Sequence, residues 1–195
     1  IHSARLGGQS LRYVAELNGE WVALIAFSAP ALNIKARENW IEWTARQRAR
    51  RLSFVVNNSR FLVLSDRHQY PNLASRVLGL CLKRLNADWQ HRWGHPVLVV
   101  ESFVDESKYR GTCYRACGFQ AVGASAGFGR SSRDFYVKHD RPKQLYLREL
   151  RKGAVSILRQ SRLPAQLSQY EERVSGPCPL RAPQLGSLLD VFKTL

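Results

Sequence analysis

Residues 97–123 read VLVVESFVDESKYRGTCYRACGFQAVG, and the fold turns on how this stretch is parsed. Val97 to Val104 is a near-continuous apolar run, the pattern of a strand buried on both faces, interrupted by Glu101. Residues 111–117 then fit a short helix, and Gly118-Phe119 turns the chain into a further strand at 119–123. A buried strand, a short helix and a strand in close succession predict a mixed α/β sheet rather than a doubly wound one.

The flanking sequence extends that sheet. Pro71-Asn72 is a helix start with Asn72 as its N-cap. Leu73, Val77, Leu80, Cys81 and Leu85 recur behind it at helical spacing, and the helix is expected to run to about Trp93 and stop at Gly94, before Pro96. Upstream, 52–56 and 60–65 read as two strands parted by Asn57-Asn58-Ser59. Residues 11–17 alternate as a half-buried strand, and Trp21 to Phe27 is its buried partner. Asn18-Gly19 between them is a two-residue hairpin signal, because both turn positions need φ > 0. Residues 124–133 are Gly/Ser-rich and predict loop, and 143–149 a last strand. Residues 151–183 are basic and Pro-punctuated, which reads as a linker. Residues 184–195 form a short amphipathic segment, predicted helical.

The 195 residues suit one well-cored domain with an appendage. Thirty Lys+Arg against 15 Asp+Glu leave a net charge of +15, the field expected of a protein that meets nucleic acid; the alternative is a basic solvated surface. The four cysteines, at 81, 113, 117 and 178, form no C-x-x-C pair, so no zinc ribbon or disulfide framework is suggested and a cytoplasmic setting is expected. No apolar run approaches the length of a membrane span, and no membrane role is expected. The chain opens on Ile1 and holds no methionine, so its true N-terminus is expected to lie upstream.

The segment YRGTCYRACGF (109–119) has a larger context. Together with GQSLRYVAELNGEWVALIAF, NNSRFLVL, YPNLASRVL, ADWQHRWGHPVLVVESFVD and PKQLYLREL it resembles the Druantia anti-phage family, which also holds many transposase-associated proteins. The resemblance is colinear over about residues 3–150, implying a Druantia-like domain over 1–150. At the level of fold the same region is similar to the GNAT acyltransferases. This implies a mixed, mostly antiparallel sheet flanked by helices, with the basic tail appended. The tail, CPLRAPQLGSLLDVFKTL, is similar to the opening of insertion-sequence DDE transposases, so 184–195 is expected as the start of such a region.

In GNAT enzymes a Tyr-x-x-x-Gly-Phe turn supplies a tyrosine that protonates the departing coenzyme A thiolate. Tyr114 stands four residues before Gly118-Phe119, so the resemblance implies Tyr114 as general acid; the alternative is a packing residue. Glu101 and Asp105 fall on the strand where such folds do their chemistry and are candidate general bases. The alternative is a structural salt bridge to Arg110 or Arg115. Cys113, near a helix N-terminus, is a lesser candidate, as a nucleophile; a buried inert thiol is the alternative. The family's glycine-rich pyrophosphate turn corresponds here to residues 67–75, which hold no glycine and include Pro71. The N–H groups of Leu73, Ala74 and Ser75 remain as an anion cradle for acetyl-CoA or another acyl donor. His91 and His95 have i, i+4 spacing, but Gly94 should break the helix between them and no metal site is expected.

For nucleic acid, Arg46, Arg48, Arg50 and Arg51, following Trp40 and Trp43, are the best local candidates for phosphate contact with aromatic stacking. Arg60, Arg130 and Arg133 are further candidates. These features predict a nucleic-acid-associated module of a mobile element or phage-defence system, with nucleic acid and a transposase or defence-system protein as partners. The alternative is an acyl-CoA- or aminoacyl-dependent N-acyltransferase using Tyr114.

Overall fold

The computed structural model describes residues 6, 8–66, 69–130, 136–138 and 141–172. Strands β1 (Ser10–Leu17) and β2 (Glu20–Ser28) form the expected hairpin. Its turn residues Asn18 and Gly19 have φ of 53° and 82°. Helices α1 (Lys35–Ile41) and α2 (Ala45–Arg51) follow. The start of α2 is set by a capping box: Gln47 N–H donates to Thr44 Oγ1, and Thr44 N–H donates to Gln47 Oε1.

The two strands expected on either side of Asn57-Asn58-Ser59 are one, β3 (Val55–Val63), preceded by a 3-10 turn at Leu52–Phe54. The polar triplet does not break the strand, because Phe27 pairs with Asn58 and Ala26 with Arg60. Ser59 is thereby the extra residue of a bulge, and the ladder continues past it. Helix α3 (Leu73–Trp93) has 21 residues and ends at Gly94, where φ is 78°. Asn72 is its N-cap residue but in the left-handed region, and its side chain caps nothing. The buried arc of α3 runs through Leu73, Val77, Leu78, Cys81, Leu82, Leu85 and Trp89. Leu80, expected on that stripe, lies round the helix from it and is 63% exposed.

Strand β4 (Val99–Val104), α4 (Thr112–Ala116), β5 (Gln120–Ala124) and β8 (Gln144–Glu149) complete the domain, with a small pair of β6 (Phe128–Arg130), inside the stretch expected to be loop, and β7 (Tyr136–Lys138), just beyond it. The main sheet has six strands in the order β1-β2-β3-β4-β8-β5. Every pairing is antiparallel except β3 with β4. The expected mixed, mostly antiparallel α/β sheet is therefore what forms.

Period-two alternation along the central strands divides the interior into two cores. Val56, Val100, Val104 and Tyr146 pack with α3 and α4 on one face. Val55, Val99, Leu145 and Leu147 pack on the other with Ile41, Trp43, Leu158 and Leu167. The last two residues correct the reading of the basic stretch as a linker. Over 151–172 it carries α5 (Ala154–Leu158) and α6 (Ala165–Ser168), which bury Ala154, Leu158, Leu163 and Leu167. Four apolar residues at near-helical spacing, masked by arginines in the composition, hold this segment to the sheet. Residues 184–195 lie outside the described residues. Among the described residues no helix is long and apolar enough to cross a membrane.

Candidate functional site

The parallel strands β3 and β4 pair at three positions only, Val55 with Val99, Val56 with Val100 and Asn57 with Glu101. Beyond them β3 stays with β2 and β4 with β8. The sheet is thus opened into a wedge, and Asn58 and Ser102 are the first residues past the point of separation.

Tyr114, carried by α4, closes the wedge from the α3 side. Its hydroxyl donates to Asn58 Oδ1 at 2.7 Å. Asn58 is held in turn by its amide, which donates to the carbonyls of Ala26 and Arg60 at 3.1 Å each. The Tyr114 ring stacks on Tyr146 and meets Phe119 edge-on. Burial pushes the phenol up to about 12, against a smaller opposing effect of the Ser102 hydroxyl. A phenol in this state holds its proton tightly. The short α4 is set against β8 by Gly111, in the left-handed region at φ 64°, where a Cβ would come within 2.4 Å of the Tyr146 hydroxyl.

Glu101 does not face Tyr114. It is one residue from Ser102 along an alternating strand, and so projects to the opposite side of the sheet. There it is fully buried and accepts from Arg37 Nη1 at 2.8 Å and from Ala31 N–H at 3.1 Å. Arg37, also fully buried, bonds Glu38 and the Leu32 carbonyl as well. Desolvation raises the Glu101 carboxyl, and Arg37 works against it. The ion-pair alternative was right in kind, but the partner is Arg37 on α1, not Arg110 or Arg115. Arg115 instead donates to the Tyr146 hydroxyl and to the Arg110 carbonyl.

Asp105 is engaged within its own turn. Its carboxylate accepts from Ser107 N–H at 3.1 Å and Ser107 Oγ at 2.6 Å, a turn-capping arrangement that lowers its pKa. Cys113 is half-buried, and burial raises its pKa instead of the helix start lowering it. In the expected anion cradle, Leu73 N–H is spent on the Tyr70 carbonyl at 3.3 Å. Ala74 and Ser75 N–H remain, and Pro71 has none. Among the described residues of the turn, two donors without glycine do not reproduce the turn that wraps a coenzyme A pyrophosphate, so these residues do not fit that group in the way the resemblance implies.

The arginine candidates separate into two kinds. Arg51, only 2% exposed, is an internal clamp rather than a phosphate contact. Its Nε meets Glu171 at 2.5 Å, and its Nη1 donates to the carbonyls of Leu158 and Gln160. Arg50 shares Glu171 at 2.6 Å and stays partly exposed. The guanidinium groups of Arg46 and Arg48 make no hydrogen bond or ion pair among the described residues. Trp40 and Trp43 are not a stacking platform: Trp43 is buried in the second core, and its indole donates to Glu38; Trp40 donates to Gln120 Oε1. A cavity of about 410 Å³ lies beside α2, lined by Arg46, Arg50, Arg51 and also Arg162. Arg60 sits on β3, away from that lining, and donates to its neighbour's carbonyl. Arg133 and the side chain of Arg130 lie outside the described residues.

Sequence reasoning missed Arg37 and Arg162. Nothing local marks an Arg at 37 as the mate of a carboxylate at 101. The signal that was available is Asn58, a residue disfavoured in strand interiors unless its amide has specific work there.

The six-strand order and the tyrosine-bearing helix behind a splayed parallel pair define a mixed, mostly antiparallel α/β domain. Residues 1–149 match the family described as Druantia protein DruA, and the chain belongs to that family. Among solved structures it is similar to AAC(6')-Ib in complex with ribostamycin and coenzyme A, at 16% identity and a TM-score of 0.47, covering 78% of this chain and 69% of that one. It is also similar to an N-acetyltransferase from Staphylococcus aureus Mu50, at 16% identity, TM-score 0.43, covering 72% and 67%. A third is the SpeG spermidine N-acetyltransferase of Vibrio cholerae, at 11% identity, TM-score 0.43, covering 75% and 67%. No curated protein matches.

Proposed function

We propose that this chain is a nucleic-acid-associated module of a phage-defence system or mobile element, built on a GNAT-like domain that no longer performs ordinary acetyl transfer. The observation that carries the reading is the disposition of the candidate catalytic groups. Tyr114 is buried and bonded to Asn58, and Glu101 is locked to Arg37 on the other face of the sheet. An acid and a base that act on one substrate must reach the same space, and these two do not. The net charge of +15 and the arginines along α2 supply the attraction to a polyanion. Arg46, Arg48 and Arg50 are the phosphate contacts in this reading, with Arg60 as a separate one. The partner protein is a transposase or another defence-system component, and the setting is the cytoplasm.

The test is a salt series of duplex DNA titrations on the whole chain. Affinity should fall steeply and linearly on a log–log plot. A flat or absent response would remove the reading.

The location of the Tyr114 phenol at the mouth of the strand wedge favours a second reading, acyl transfer. Calorimetric titration with acetyl-CoA at moderately high salt separates the two, because salt suppresses nonspecific attraction of an anionic cofactor to a basic protein. Saturable binding would favour transfer, with Tyr114→Phe as the next variant. No heat would favour the module.

A further inference from the structure

The cavity beside α2 is built differently from a solvated basic face. One wall is Thr44, Arg46, Gln47 and Arg50; the other is Ser161 and Arg162. The two walls come from segments more than a hundred residues apart, and they are fastened together. Gln47 Nε2 donates to the carbonyls of Arg159 at 2.9 Å and Gln160 at 2.8 Å. Arg51, beneath, reaches the carbonyls of Leu158 at 2.7 Å, Gln160 at 2.6 Å and Ser161 at 3.4 Å. The capping box fixes the end of α2 that carries Thr44. The Arg51 bonds are buried or part-buried and those of Gln47 exposed, and together they hold the two walls to each other.

Four guanidinium groups line this space, and a single carboxylate, Glu171, pairs with two of them, Arg50 and Arg51. Arg46 and Arg162 are exposed, and their guanidinium groups have no hydrogen bond or ion pair among the described residues. Their donors are therefore available to a ligand from opposite walls. A planar fork from each side suits a tetrahedral oxyanion, which accepts several charge-assisted bonds at once.

We infer that this cavity takes the terminal phosphate of a nucleic-acid strand. The inference rests on the nucleic-acid reading above and deepens it. A continuous strand presents its diesters along a run and is served by an open groove. A confined cluster of guanidinium groups instead suits the charge concentrated at a strand's end. A terminal monoester carries close to two negative charges at neutral pH, against one on a diester, and meets the surplus of arginine here more fully.

The probe is one labelled single-stranded oligonucleotide prepared with a 5′-phosphate, with a 3′-phosphate and with hydroxyls at both ends, titrated against the whole chain. One phosphorylated form should bind roughly tenfold tighter than the hydroxyl form. That preference should fall to parity in Arg162→Ala and in Arg46→Ala, both surface changes that leave the melting temperature in place. Equal binding of all three forms, or a preference that survives both substitutions, overturns the pocket and leaves the nucleic-acid reading standing. No binding by any form also overturns the pocket, and the duplex titration described above then decides the nucleic-acid reading on its own.

Discussion

Tyr114 and Asn58 are joined at 2.7 Å across the mouth of the β3–β4 wedge, with the phenol as donor. Asn58 spends its amide on two backbone carbonyls, so Tyr114 supplies the proton that its Oδ1 accepts. Tyr114→Phe leaves that buried oxygen unpaired and should cost about 1–3 kcal/mol of stability. A denaturant midpoint unchanged from the parent chain would show that the bond contributes nothing.

The same burial shapes the alkaline limb of stability. Tyr114 is raised from 10.0 to about 12, and Cys81, by desolvation, from 9.0 to about 11. Both groups keep their protons in the folded state where the unfolded chain has lost them. Their contribution is complete below pH 9 and is lost as pH rises through the windows 9 to 11 and 10 to 12. Melting temperature should therefore decline above pH 9. Tyr114→Phe should flatten the upper part of the decline; an unaltered slope would contradict the assignment.

Arg37 and Glu101 test the other face. Removing one member of a fully buried pair strands the other, at about 3–5 kcal/mol. Glu101→Leu should be severely destabilised, and the double variant Arg37→Leu/Glu101→Leu should recover part of the loss. If Glu101→Leu alone folds with parental stability, the pair is not structural and a functional role for Glu101 reopens.

The hairpin, α3, the central strand β4 and the short α4 were legible because each rests on a local rule: a turn needing positive φ, a helical stripe, an apolar run, a glycine exit. What was not legible is long-range pairing. Glu101 was read as costly and in need of a partner, and its partner comes from 64 positions upstream. Asn57-Asn58-Ser59 looked like a break because its polar residues have no local use. The bulge and Tyr114 give Asn58 one. The segment 151–172 was read by its arginines and prolines, whereas four buried apolar residues decide where it goes. Of the site, the resemblance singled out Tyr114, which lies at the wedge, while Glu101, its candidate base, lies on the opposite face.

Arg51 offers a separate check on that segment. Its guanidinium satisfies Glu171 and three carbonyls from 158–161. Lysine has neither the fork nor the donor count. Arg51→Lys should therefore free the 151–172 segment to limited proteolysis before the sheet domain is cut. Equal resistance in parent and variant would show that the apolar contacts of Leu158, Leu163 and Leu167 hold the segment unaided.

The most direct measurement is fluorescence anisotropy of a labelled DNA duplex with the whole chain over a range of salt concentrations. The account predicts log K falling linearly with log salt, with a slope of about −0.9 for each phosphate engaged. It also predicts a shallower slope for Arg46→Glu/Arg48→Glu. No binding at low salt, or binding indifferent to salt and to those substitutions, would contradict it.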